Sequence, residues 1–130
     1  MGMKEIQLPH PENIRKIYFV GIKGVGMVGL ALIAKEASFQ VRGSDVSEEF
    51  LTDEVLKKFG IGVDTDFKTS DLEAFVNGKF DDILVICTAA HDGLSNPQCV
   101  YAEENGIPVY NPKSLKNADA PVNSPYGTSA

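Results

Sequence analysis

The chain has little of what metal centres and disulfide frameworks are made from: two cysteines and two histidines in 130 residues. Cys87 and Cys99 stand in apolar surroundings, with neither CxxC spacing nor zinc-ligand company, so they read as reduced thiols in or near the core. Positive charge is scarce, with 12 Lys+Arg against 18 Asp+Glu, a net charge of −6 and a pI near 4.8. That balance excludes the basic footprint of a nucleic-acid partner. No stretch approaches the ~20 apolar residues of a membrane span. The opening MGMKEIQLPHPENIRK has no signal-peptide h-region, and a cytoplasmic protein is expected. Internal repeats are absent, as is any nucleophile–base–orienter set or metal constellation. Asp81-Asp82 read as solvated turn residues, Glu48-Glu49 and Glu103-Glu104 as exposed helix-end charges, and His10 between two prolines as a structural residue.

What is present is the balance of a soluble globular domain, 43% apolar and 23% charged, long enough to bury a core. Ile17–Ile22 is a β-branched and aromatic run ending at glycine, as a strand buried on both faces should be. Val25–Ala37 follows as a helix that is apolar on nearly every side, which predicts that it is largely buried. Gln40–Gly43 is a second strand closed by Ser44 and Asp45, and Thr52–Phe59 a helix with Asp53 and Glu54 first, Lys57 and Lys58 last, and Gly60 as its stop. Ile61–Val63 is a third strand. Ser70 and Glu73 form a capping-box pair opening a helix that ends before Gly78. Ile83–Cys87 is a further buried strand. Asn96-Pro97 supplies an N-cap and an N1 proline, and Gly106 ends that helix. Ile107–Tyr110 is the fifth strand, after which Asn111-Pro112 repeats the same start. Alternating strands and helices imply an α/β fold: a Rossmann-like, doubly wound parallel sheet of about five strands with helices on both faces. Residues 1–116 form this domain, with 1–15 a leader segment, and the Pro-, Ser-, Asn- and Ala-rich stretch 117–130 reads as a linker or disordered tail.

The stretch FVGIKGVGMVGLALIAKE carries four glycines within nine residues, Gly21 to Gly29, at the first strand–helix junction. A nucleotide-hydrolase P-loop is excluded. Gly21 and Gly26 have its spacing, but Met27 and Val28 occupy the lysine and hydroxyl positions that β/γ-phosphates and Mg²⁺ require. A dinucleotide turn fits better: Gly24-x-Gly26-x-x-Gly29 opens a helix, and Asp45 ends the second strand where a ribose-binding carboxylate belongs. Glycines there let the backbone approach a pyrophosphate, whose charge meets free N–H groups and the helix dipole. Gly29 by itself reads equally as a packing glycine. The turn does not say which diphosphate it faces.

The wider pattern does. GIKGVGMVGLA, then VRGSD, then Thr52 and Leu56 before Gly60, and later CTAAH, NPQ and GIPV closely resemble the N-terminal domain of the Mur ligases, nearest to the alanine-adding and muropeptide-recycling branches. The resemblance covers about Ile17 to Leu115, and its most specific parts are Gly26–Ala31 and Gly43-Ser44-Asp45. It implies a domain that holds the UDP part of a UDP-N-acetylmuramoyl substrate. The binding set it suggests is Gly24, Val25, Gly26, Met27, Ser44, Asp45, Thr88, Ala89 and His91, with no catalytic residue and no metal ligand. ATP and Mg²⁺ are expected to serve the parent ligase through a central ATP-binding domain and a C-terminal domain that this chain does not contain. The fragment alone is therefore expected to be inactive, with no cofactor of its own. An NAD(P)-binding domain of an oxidoreductase, or of a nucleotide-sensing regulator, is the alternative.

Two departures from the family pattern stand out. Lys23 replaces a small residue, often glycine, so its amine reaches a phosphate or points to water. Cys87-Thr88-Ala89 replaces a pair of serines followed by alanine, at the cost of one hydroxyl. If the strand order is 3-2-1-4-5, the glycine turn, Ser44-Asp45 and the loop Thr88–Asn96 converge on one crevice at the switch point. His91 there is either a ligand contact or a solvated surface histidine.

Overall fold

The computed structural model describes residues 13–112. In chain order the elements are β1 (Lys16–Val20), α1 (Val25–Glu36), β2 (Gln40–Asp45), α2 (Thr52–Lys58), β3 (Gly62–Thr65), α3 (Thr69–Val76), β4 (Ile83–Cys87), a 3₁₀ turn (Gly93–Ser95), α4 (Pro97–Glu104) and β5 (Val109–Tyr110). The sheet runs β3-β2-β1-β4-β5, every pair parallel. This is the expected doubly wound order, with the switch between β1 and β4.

Strand alternation sorts the core into two layers. Ile17 and Phe19 of β1, with Leu84 and Ile86 of β4, pack against Met27, Val28, Ala31 and Ala34 of α1 and Leu56 of α2. Tyr18 and Val20, with Ile83, Val85 and Cys87, pack on the other face against Leu72 and Val76 of α3 and Cys99 and Ala102 of α4. Both faces being covered explains why β4 reads ILVIC without a polar residue. Leu72 is fully buried, and truncating such a side chain costs about 2–5 kcal/mol.

Several boundaries moved for identifiable reasons. Strand β1 stops at Val20 because Gly21 takes φ +88°. Residue Ile61 instead closes α2, its amide donating to the Leu56 carbonyl, and β3 runs on to pair Asp64 and Thr65 with Ser44 and Asp45. Strand β5 is short because Pro108 has no amide to give the ladder and Ile107 donates back to Ala102.

The capping box is absent. Helix α3 starts at Thr69 with Lys68 as an uncapped N-cap, which puts Ser70 one residue inside the helix. Helix α1 is not largely buried either: Val25 is 83% and Ile33 65% exposed. Its apolar composition does not create a second layer, and among the described residues only the sheet-facing side is covered. Asp82 is buried rather than solvated, and its carbonyl accepts from the amides of Arg15 and Lys16. The Asn96-Pro97 start is as expected, with the Asn96 side chain accepting from the Gln98 amide at 2.9 Å. The leader up to residue 12, His10, the helix expected after Asn111-Pro112 and the tail lie outside the described residues.

Candidate functional site

Parallel register brings Val20, Ser44 and Cys87 to the same level of the sheet. The residues that follow them, Gly21, Asp45 and Thr88, therefore surround one crevice at the strand ends. Two backbone bonds fasten the turn to β2, from the amides of Gly21 and Ile22 to the Ser44 carbonyl at 2.8 and 3.0 Å, while the Thr88 amide bonds the Val20 carbonyl at 3.1 Å.

The glycines of this region have distinct jobs. At Gly21 a Cβ would run into the Thr88 methyl, and φ is positive, so only glycine is free of strain. At Gly43 a Cβ would sit 2.5 Å from the Phe19 carbonyl oxygen and 2.7 Å from Ile22 Cδ1. Gly26 and Gly29 differ from both: apart from the neighbouring residues and the helix's own backbone, no atom of the described residues lies within 4 Å of a Cβ at either, and neither has a positive φ. Among the described residues Gly29 is therefore not a packing glycine, and nothing there requires glycine at 26.

Gly24 is the N-cap of α1, with φ −64° and ψ 145° and no side-chain cap. The amides of Val25, Gly26 and Met27 belong to the first helical turn, which has no intrahelical acceptors. Gly24, Val25 and Gly26 are exposed, whereas the Met27 side chain is in the core, so Met27 offers the crevice only its backbone.

Asp45 is 2% exposed and turned onto the glycine loop. One carboxylate oxygen accepts from the Lys23 amide at 2.9 Å and the other from the Val46 amide at 2.7 Å, with His91 Nε2 3.3 Å away from the latter oxygen. It braces the turn. Ser44 is wholly buried and donates to Gln98 Oε1 at 2.5 Å, beneath the crevice instead of into it.

Thr88 packs its methyl on Gly21 and accepts a long bond from the Ala90 amide, 3.4 Å, and Ala89 is exposed. His91 is half-buried in the left-handed region, φ +54°, with its ring 5.1 Å from that of Phe67. Four of the six non-glycine residues with positive φ, Asp66, Phe67, His91 and Asp92, lie in the two loops that meet at this stack. The structure thus gathers the glycine turn, Asp45, Thr88, Ala89 and His91 into one crevice, and leaves Ser44 below it.

Lys23 does neither of the things expected of it. It is 8% exposed, and its amine donates to the carbonyls of Val46 (3.1 Å) and Glu48 (2.8 Å) and pairs with Asp53 at 3.0 Å. Asp53 is held below the usual carboxylate range, first by the Phe50 amide and then by Lys23.

The residue reading also missed a buried polar seam. Gln98 Nε2 donates to the Tyr18 hydroxyl (3.1 Å) and the Lys68 carbonyl (2.8 Å), Tyr18 donates to Asp64 (2.9 Å), and Arg42 grips Asp64 with two bonds. Burial and then Asp64 push the Tyr18 phenol up. Arg42, in the partly exposed first half of β2, was the available signal, since a guanidinium on a parallel strand pairs readily with a carboxylate on its neighbour. Both cysteines are free and buried, as expected. Cys99 is raised by its hydrogen bond to Cys87 and by burial.

Among the described residues no His/Cys/Asp/Glu cluster could hold a metal ion. No helix there is long and apolar enough to cross a membrane.

A doubly wound parallel sheet with an uncapped, glycine-lined helix start at its switch point defines an α/β domain of the Rossmann-like class. Residues 16–116 match the family model described as Mur ligase family, catalytic domain, and the chain belongs to that family. The UDP-N-acetylmuramate–L-alanine ligase of Fusobacterium nucleatum is 39% identical over 98 residues, 75% of this chain and 19% of the relative. That of Treponema pallidum is 36% identical over 107 residues, 82% and 21%. Among solved structures, the UDP-N-acetylmuramate-alanine ligase of Thermotoga maritima superposes with TM-score 0.58 at 33% identity, covering 74% of this chain and 20% of that one. A muropeptide ligase from Neisseria meningitides, named for L-alanyl-γ-D-glutamyl-meso-diaminopimelate, gives 0.58 at 31%, covering 75% and 28%. The chain spans about a fifth of the length of the curated relatives it matches.

Proposed function

We propose that this chain is the UDP-binding domain of a UDP-N-acetylmuramate ligase and that the crevice at the α1 N-terminus takes the diphosphate of a UDP-N-acetylmuramoyl substrate. One observation carries the reading. Gly26 is a glycine for which the described residues give no packing or backbone reason, on the exposed first turn of a helix whose amides have no side-chain cap. A pyrophosphate approaching that turn supplies the reason, because any side chain at 26 would take its place. Gly24 and the amides of Val25 and Met27 complete the cradle. Asp45 holds it in shape, and Thr88, Ala89 and His91 form the wall across the switch point.

In the parent reaction an amino acid or peptide amine is joined to the muramoyl carboxylate at the expense of ATP. This chain's residues do not fit ATP–Mg²⁺: the lysine and hydroxyl positions of a phosphate loop are held by Met27 and Val28, whose side chains are buried in the core. No step of the chemistry is assigned to it. ATP, Mg²⁺ and the bond-forming groups belong in this reading to further domains of a longer, cytoplasmic enzyme, and the chain alone is a binding module. An NAD(P)-dependent oxidoreductase domain is not favoured, since the relatives it matches are ligases.

Titration calorimetry with UDP-N-acetylmuramate, UDP and NAD tests the reading. Both uridine ligands should bind more tightly than NAD. Tighter binding of NAD would overturn it.

A further inference from the structure

Lys23 makes five polar contacts, and the three of its ammonium go to the connection between β2 and α2 and to α2 itself. Its amide donates to Asp45, and its carbonyl accepts from the Thr52 hydroxyl at 2.7 Å. The ammonium takes the Val46 and Glu48 carbonyls and the Asp53 carboxylate, and it lies 5.6 Å from the centre of the Phe50 ring, within cation–π range. Residues 46–51, between β2 and α2, have no regular structure to order them. Among the described residues no other side chain from outside this loop bonds its carbonyls. The ammonium ties the middle of the loop to the glycine turn, while Asp45 and Asp53 accept from the Val46 and Phe50 amides near its two ends. An ammonium is a costly group to bury, and it is kept here with each of its three protons directed at an acceptor.

We infer that Lys23 is a positioning residue that fixes the 46–51 loop as a wall of the crevice on the nucleoside side, and so helps decide which nucleotide the glycine turn accepts. The inference rests on the diphosphate reading above. Two features of the loop support it. The loop follows directly on Asp45, whose carboxylate holds the Lys23 amide of the glycine turn, so the loop starts at the rim of the crevice while the turn keeps its own bond to β2. It also carries Phe50, 43% exposed, whose ring lies 5.6 Å from the Lys23 ammonium, and Leu51, 91% exposed, one residue before Thr52, whose hydroxyl bonds the Lys23 carbonyl. These give a nucleoside an apolar surface next to the diphosphate cradle. Inorganic pyrophosphate uses only the cradle, whereas a uridine nucleotide uses cradle and wall. A ligand of Lys23 itself would behave differently, because losing the amine would weaken both.

The test is Lys23→Met, which keeps most of the apolar stem and removes the ammonium. Peptide-level hydrogen exchange should rise at least tenfold in residues 45–53 and stay unchanged in α1, β4 and α4. Affinity for UDP should fall at least tenfold while that for inorganic pyrophosphate stays within about twofold. Wild-type protection of residues 45–53 in the variant would overturn the anchoring. Equal loss of UDP and pyrophosphate would overturn the positioning role and make Lys23 a phosphate ligand. Should Lys23→Met fail to fold, Asp53→Asn removes one of the three ammonium contacts from a partly exposed position. It should raise exchange in the same peptide by a smaller factor and weaken UDP selectively. Unchanged exchange and unchanged UDP affinity in Asp53→Asn would then count against the inference. If the wild type binds pyrophosphate but neither UDP nor UDP-N-acetylmuramate, the diphosphate reading has failed for uridine ligands. The exchange result then decides the anchoring separately.

Discussion

The two loops beside the glycine turn are held by opposite means. Residues 46–51 are gripped from outside by one buried cation, with bonds to their carbonyls at 2.8 and 3.1 Å, the cation itself pairing with Asp53 of α2 at 3.0 Å. Residues 88–96 are held largely by bonds among themselves. Asn96 caps α4 through Oδ1 and donates through Nδ2 to the His91 carbonyl at 3.2 Å, Gly93 and Ser95 donate back to Ala90 and Asp92, and His91 and Asp92 take left-handed backbone. The first arrangement rests on charged side chains, the Lys23 ammonium and the carboxylates of Asp45 and Asp53, and one substitution at Lys23 removes its central part. The second spreads its stability over several backbone and side-chain bonds, which offset the cost of the left-handed backbone at His91 and Asp92.

The largest effect should come from breaking the seam that joins the turn to the second loop. Gly21→Ala puts a Cβ into Thr88 at φ +88° and should cost about 3 kcal/mol, from left-handed strain and overpacking together. Urea denaturation would show it as a lower midpoint at unchanged slope, and a loss below about 1 kcal/mol would mean that Thr88 yields easily. Next is Asn96→Ala, which should cost about 1–2 kcal/mol as a lost cap. Asn96→Asp keeps the cap acceptor and loses only the donor to His91. It should recover most of that stability while still loosening residues 88–92 in hydrogen exchange.

The smallest effect sharpens the contrast. The Asp53 carboxyl is depressed below its ordinary 3.8 by the Phe50 amide and by Lys23. A group whose folded value lies below its unfolded one contributes fully above the unfolded value and loses that contribution as pH falls through the folded one. Below about pH 3.8, exchange in residues 46–51 should therefore increase relative to residues 88–96, and Asp53→Asn should abolish that dependence on pH while leaving exchange in residues 46–51 raised throughout. Parallel loosening of both loops would show that the two are not held independently.

How far the sequence carried this picture depends on whether a residue's partner announces itself locally. Strand ILVIC, the Asn96-Pro97 start and the 3-2-1-4-5 order were legible because burial on both faces, capping chemistry and alternating elements are local patterns. Ser44 was misdirected toward the crevice although alternation from Gly43 puts it on the Tyr18 face. The strand-end position outweighed the period. Lys23 was not legible, because two of its partners are backbone carbonyls more than twenty positions away, which leave no residue-type signature. The exposure of Val25 and Ile33 was hidden for a related reason: composition says that a helix is apolar, not how many layers cover it.

The central claim is that Gly26 is glycine for the sake of a ligand's diphosphate and not for the fold. Gly26→Val tests it most directly, with thermal or urea denaturation and UDP-N-acetylmuramate titration on the same preparation. With no atom within 4 Å of the new Cβ and no positive φ, stability should change by no more than about 0.5 kcal/mol, while affinity falls at least a hundredfold. A folded variant that binds UDP-N-acetylmuramate as the wild type does would contradict the account and place the diphosphate elsewhere.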